Sequence, residues 1–396
     1  MAIVSATVRP QAQARGPAAD RHESRARLTA ATVIALGCIA FFLGLTWDVQ
    51  WHAAVGPDSF FTAPHGLLYS GPALGGIISL LVVIATTTKY HKGAPGVTDG
   101  NTTPWLRYFR APVGFIVTGL GALSFLVGGL FDLWWHTLYG FDVTLLSPAH
   151  FFLLFSMLIT LIGMTYTFAS EVNRAYARGE RGTYATVGFA LILALLMNVV
   201  GVFLFIGLYD AVVAGGLLVY AVSVALLFPL GLVAASTFVR RFGGATLTAL
   251  FFTALRVIAL YWPLKMVEFL RQIDGLPYKV GAPMSSIPAR AMPVYLILFA
   301  LVIDGAVALG RKYRLSQRLV VAGGAALATL INFLLDPRWM TVLTAWKESP
   351  TGLTKAEMAD QIARATLPSA IVAVVLAALV GLFGAGYGKV LRSTDK

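Results

Sequence analysis

The sequence predicts an all-α, polytopic transmembrane bundle of about ten spans, and three observations predict it. Apolar residues make up 58% of the chain and charged residues 12%, with a mean hydropathy of +0.77. That composition lies outside the range of soluble globular domains. The apolar residues also gather into stretches of roughly 18 or more, the length at which a helix crosses a bilayer. Finally, Asp and His, which apolar spans avoid, interrupt the pattern twice in one arrangement. Asp48, Trp51, His52 and Asp58 match Asp132, Trp135, His136 and Asp142 at an offset of 84 positions. One extra turn residue then sets Thr62 on Ser147 and His65 on His150.

Taken in order, the chain opens with Arg9, Arg15, Arg21, Arg25 and Arg27 among Ala, Gln and Pro. Residues 1–27 lack an apolar pattern and read as a disordered basic tail. The full-length apolar run behind them does not read as a signal peptide. Residues 28–171 hold four spans, near 29–52, 64–88, 112–136 and 148–170, which carry the two Asp/His hairpins. Residues 172–396 add about six more, near 184–207, 212–238, 244–269, 291–310, 319–335 and 367–388. An outer segment lies near 337–366, where Thr354 and Glu357 have the spacing of a capping box for a short amphipathic helix.

Basic residues follow every even span: Lys89 and Arg110, Arg174 and Arg178, Arg240 and Arg241, Arg311 and Arg318, Lys389 and Arg392. This excess places both termini in the cytoplasm and both hairpin turns at the outer face. The loop around Lys265, Arg271, Lys279 and Arg290 is an exception to it. The net charge of +12 is thus accounted for by anionic lipid and gives no reason to invoke nucleic acid. With Cys38 the single cysteine, an intrachain disulfide and a multi-thiolate metal site are excluded. Deeper in the bundle, Arg256 and Asp304 sit at depths where ionisable groups are costly. They are expected to form a buried pair, or else to line a polar path.

The chemistry is expected at the hairpins. Asp48 and His52 are four residues apart and share one helix face near its outer end. Thr62 reads as the N-cap of the next helix, with Pro64 in the first turn and His65 three residues past the cap. Ser147, Pro148 and His150 repeat that start. Asp48, His52 and His65 therefore converge as one metal-ligand set, and Asp132, His136 and His150 as a second. The two hairpins run in the same sense, a parallel repeat whose triads can face each other as two mononuclear sites or one dinuclear site. Two imidazoles and a carboxylate leave coordination positions open and suit Cu, non-haem Fe(II) or Zn, rather than Mg or Ca. Trp51 and Trp135 read as interfacial belt residues and then as neighbours of the ligands. Asp58 and Asp142 read as turn residues or as hydrogen-bond partners of ligand imidazoles.

The string Asp48-x-x-Trp51-His52, Asp58, Phe61-Thr62, Pro64-His65 and Tyr69 resembles the signature of the C-type subunit of the copper membrane monooxygenases. That family includes particulate methane monooxygenase and ammonia monooxygenase, and the resemblance covers about the first four spans. It implies copper ligation by Asp48, His52 and His65. It implies a second copper site at Asp132, His136 and His150, with Asp132 standing where the family has Asn. It also implies partner subunits and O₂ activation on a small apolar substrate.

The expectation is an integral-membrane copper protein, similar to that C-type subunit of a copper monooxygenase. Three alternatives use the same residues: a non-haem Fe(II) or di-metal oxidase, a copper transport or assembly protein without turnover, and a b-type haem protein. Membrane lipid is the expected surround, with monooxygenase subunits or a second copy of the chain as partners.

Overall fold

The computed structural model describes residues 17–56, 61–140, 147–206, 208, 211–279, 296–335 and 354–394. Among them are ten α-helices and two short β-hairpins. Nine of those helices are long and apolar enough to cross a membrane. The fold is a polytopic helical bundle, and the chain is a multi-pass membrane protein.

Helices α1 (Pro17–Ala54) and α2 (Ala63–His91) form the first hairpin, α3 (Val113–Tyr139) and α4 (Pro148–Ala177) the second. Between the two lie strands β1 (Thr103–Trp105) and β2 (Phe109–Ala111), paired antiparallel. Helix α5 (Thr183–Ile206) leads to β3 (Val213–Ala214) and β4 (Leu217–Leu218), then to α6 (Val219–Phe238) and α7 (Gly244–Asp274). The turn between β3 and β4 is Gly215-Gly216, both at positive φ, as a two-residue type I′ turn requires. The remaining helices are α8 (Ile297–Lys312), α9 (Gln317–Leu335) and α10 (Lys355–Ser393). With 16 residues α8 is shorter than a full crossing of about 20; positions 291–295 of the eighth expected span lie outside the described residues.

Helix α6 is apolar all round and is packed by α5, α7, α8, α9 and α10, as expected of a helix with no water-facing stripe. Its aromatic rings interlock with those neighbours: Phe238 with Phe189 at 4.4 Å, Phe228 with Phe252 at 5.4 Å and with Phe299 at 6.1 Å. The hairpin helices pack closely through glycine. A Cβ on Gly128 would lie 2.9 Å from a Leu153 methyl, and one on Gly121 2.9 Å from the Ser156 carbonyl.

Three sequence expectations need correction. The basic tail does not extend to residue 27, because α1 begins at Pro17. Its extra turns are held by ion pairs far away in sequence: Asp20 to Arg178 at 2.8 Å, Arg21 to Glu180 at 2.9 Å and Glu23 to Lys89 at 2.7 Å. Ser24 also donates to the buried Glu171 carboxylate. Secondly, the outer amphipathic helix and the tenth span are one helix of 39 residues. The capping box is present, with Glu357 N donating to Thr354 Oγ1 at 3.3 Å and Thr354 N to Glu357 Oε2 at 2.8 Å. The helix continues through Pro368 because Met358, Ile362 and Ala365 bury against Val212, Leu218 and Phe333. Positions 336–353 of the outer segment lie outside the described residues.

Thirdly, Asp304 is engaged elsewhere than at Arg256. It accepts from Ala245 N at 3.2 Å, Thr246 N at 2.9 Å and Thr246 Oγ1 at 2.8 Å, capping α7 from another helix. Those amides are the unsatisfied donors of a helix start, where a carboxylate is stabilised. Arg256 lies three turns further along α7, roughly 16 Å of rise.

The chain's two described ends meet. Asp20 of α1 pairs with Arg174 at 3.6 Å, and the adjacent Asn173 donates to the Leu391 carbonyl of α10 at 2.8 Å. Both ends therefore lie at the same end of the bundle, beside the C-terminus of α4.

Candidate metal centre

Asp48 and His52 occupy the last turns of α1, and His65 the first turn of α2. Asp132 and His136 close α3, and His150 opens α4. Each group of three brings one ligand atom per residue within 4.8 Å of the others. In the first group Asp48 Oδ1 lies 3.4 Å from His52 Nε2 and 3.1 Å from His65 Nε2. In the second, Asp132 Oδ1 lies 3.5 Å from His136 Nε2 and 3.5 Å from His150 Nε2. The imidazole rings are tilted against each other, with centroids 6.3 Å apart in the first group and 5.7 Å in the second. All six residues named from the sequence thus come together, three and three.

These separations fit a metal ion. Donors bonded at about 2.0–2.1 Å stand roughly 2.9 Å apart at a right angle and roughly 3.4 Å apart at the tetrahedral angle. His136 adds an independent argument. Its Nδ1 lies 2.9 Å from the Gly140 carbonyl, which only accepts, so Nδ1 carries the proton. With a proton on Nδ1, Nε2 is the ring atom that would coordinate a cation, 3.5 Å from the Asp132 carboxylate oxygen. Gly140 ends α3 at φ +76°, a conformation that a side chain would oppose, so this glycine aims the carbonyl that meets the His136 ring.

The two helix starts use their caps differently. Ser147 Oγ accepts from His150 N at 3.2 Å, as a cap does. Thr62 takes the extended cap conformation but makes no cap hydrogen bond, and its hydroxyl lies 3.2 Å from His65 Nδ1 instead. Thr62 therefore faces the His65 ring, in the place an outer partner of a metal-binding imidazole would take.

The two triads lie at one depth. Along the antiparallel α2–α3 seam a Cβ on Gly119 would meet Ser79 at 3.1 Å, one on Gly76 would meet Ala122 at 3.6 Å, and one on Gly129 would meet the Tyr69 hydroxyl at 2.8 Å. Every step back along α2 is matched by an equal step forward along α3. Continued outward, that register sets His65 level with Leu133 and hence beside Asp132.

The surroundings differ from expectation at Trp51. It is 3% exposed and packs with Trp47, Ala54 and Val267, because α7 covers that face of α1 and leaves no lipid interface there. Trp135 is half-buried, its ring centroid 4.5 Å from that of Tyr139. Asp58 and Asp142 lie outside the described residues. One neighbour of the site was not expected: Lys279, whose Nζ donates to the His52 carbonyl at 3.2 Å and whose backbone N donates to Ala54 O at 2.9 Å. The signal was there, since Lys279 belongs to the loop that broke the charge pattern. Arg271 of the same region is likewise engaged, 2.8 Å from Glu268 and 4.3 Å from the Tyr278 ring centroid.

Comparison with family models, with curated proteins and with solved structures gives no match.

Proposed function

We propose that the chain is an integral-membrane copper protein, a component of a copper-dependent monooxygenase that acts on a small apolar substrate, in the manner of the C-type subunit of that family. One observation carries this reading: two Asp/His/His groups, each at metal-donor spacing, stand level with each other across one helix seam. Shared packing supports a parallel repeat, since Gly128 faces Leu153 in the second hairpin as Gly44 faces Leu68 in the first. Copper held there would supply the O₂ activation. The chain's own residues hold the ion and orient its ligands, with Thr62 and Gly140 set behind His65 and His136. Both termini are assigned to the cytoplasm and both triads to the outer face, because the basic clusters other than the one around Lys265, Arg271, Lys279 and Arg290 lie at the opposite end of the bundle.

Fe(II) is the second reading, since two imidazoles and one carboxylate are also its oxygen-activating set. A bis-histidine haem fits poorly, because a carboxylate oxygen within 3.5 Å of both imidazoles occupies the gap a porphyrin needs. Metal analysis of the purified protein, with electron paramagnetic resonance of the oxidised form, tests the proposal. Copper bound with a nitrogen-coordinated cupric signal supports it, iron moves the assignment to the second reading, and a Soret band overturns both. A His52→Ala/His136→Ala protein that binds copper as wild type does would show the triads to be the wrong site.

A further inference from the structure

The two triads have a common neighbour. Tyr69 stands one helical turn inward of His65 on the same face of α2, with its ring centroid 6.4 Å from that imidazole. Its hydroxyl fills the space that a Cβ on Gly129 would occupy, and Gly129 lies one turn inward of Asp132 on α3. The phenol thus spans the α2–α3 seam directly beneath both sites, and the charges of both Asp48 and Asp132 reach it. Below it the ring packs on Phe125 at 5.5 Å, and Phe125 on Phe41 at 5.4 Å, so the hydroxyl is the polar tip of an otherwise aromatic floor. The hairpin match does not duplicate it. At the offset that carries His65 onto His150, Tyr69 falls on Leu154. One phenol therefore stands beside both groups from one side.

Resting on the metal reading above, we propose that Tyr69 is a positioning residue shared by the two triads, through which the occupancy of one is felt at the other. A phenol dipole in the field of two carboxylates reorients when a cation neutralises one of them, and the other carboxylate then meets a changed partner. Glycine at 129 is what admits the ring to this place.

The test uses full-length protein in lipid nanodiscs, titrated with Cu(II) alone and followed by electron paramagnetic resonance. Tyr69→Phe keeps the ring and removes the dipole. It is expected to retain two ions and to shift the stepwise affinities of both triads, on the order of fivefold for a modest coupling. Gly129→Ala, which displaces the ring without touching a ligand, is expected to shift both as well. A shift confined to the first triad, or none, overturns the proposal. A second readout needs no metal: in apo protein, diethyl pyrocarbonate labelling resolved by mass spectrometry is expected to change at both His65 and His150 in Tyr69→Phe. Labelling that changes at His65 alone overturns the shared position. Failure of wild type to take up Cu(II), Fe(II) or Zn(II) sinks the metal reading instead, and the labelling result still decides the place of Tyr69.

Discussion

Thr62→Val separates the contact this threonine makes with the His65 ring from its place at a helix start. Valine keeps the shape and removes the hydroxyl that lies 3.2 Å from His65 Nδ1. Because Thr62 makes no side-chain cap bond, the helix loses little; a cost of a few tenths of a kcal/mol, roughly the ordinary scatter of surface changes, is expected. The ligand loses its orienting partner. Removing such a partner weakens metal binding by about 10–100-fold, or roughly 1.4–2.7 kcal/mol. Ser147→Ala at the matching position makes the opposite prediction. It removes the acceptor of the 3.2 Å bond from His150 N and is expected to cost about 0.5–2 kcal/mol of stability, with a smaller effect on affinity. Competition titration of Cu(II) against a chromophoric chelator, paired with thermal unfolding in detergent, reads both quantities. Two variants that behave alike, or a Thr62→Val protein with unchanged affinity at the first triad, would refute the reasoning.

Other consequences follow from packing and charge. Gly71→Ala would drive a Cβ into the Gly37 carbonyl; overpacking of this kind costs about 1–3 kcal/mol, to be seen as a lower unfolding midpoint. Asp304→Ala strips α7 of its cap and leaves buried amides unsatisfied, at about 1–3 kcal/mol, whereas a variant as stable as wild type would show the cap to be idle. Glu180, outside the spans, has its pKa lowered, chiefly by the hydrogen bond from Arg178, which outweighs the opposing effect of desolvation, with Arg21 adding to the lowering. A depressed carboxylate contributes stability above its unfolded pKa and loses it as pH falls through the folded value. Glu180→Gln is therefore expected to flatten the acid side of the stability profile, and an unchanged acid limb would count against the pair.

Much of the site was legible because helix geometry is local. Four residues make one turn, so Asp48 with His52, and Asp132 with His136, declare a shared face without any knowledge of the fold. A cap residue followed three places later by His sets the direction of His65 and His150 in the same way. Apolar length alone announced most of the spans. The misread features depend on partners far along the chain. Residues 17–27 look like tail until Arg178, Glu180 and Lys89 pair with them. Trp51 looks like a belt residue until α7 covers it, and Asp304 reads as a partner for Arg256 until the start of α7 claims it.

By itself, then, the sequence determined that this is a membrane bundle and which six side chains gather into two Asp/His/His groups, since composition and turn-by-turn spacing act over a few residues. Only the tertiary structure decided that the two sets stand at one depth, that Tyr69 lies beneath both, and that Thr62 faces the His65 ring whereas Ser147 caps its helix. Those outcomes depend on the register between helices. Glycines of the α2–α3 seam set it by leaving room for side chains of the facing helix, and no spacing within a single helix encodes it.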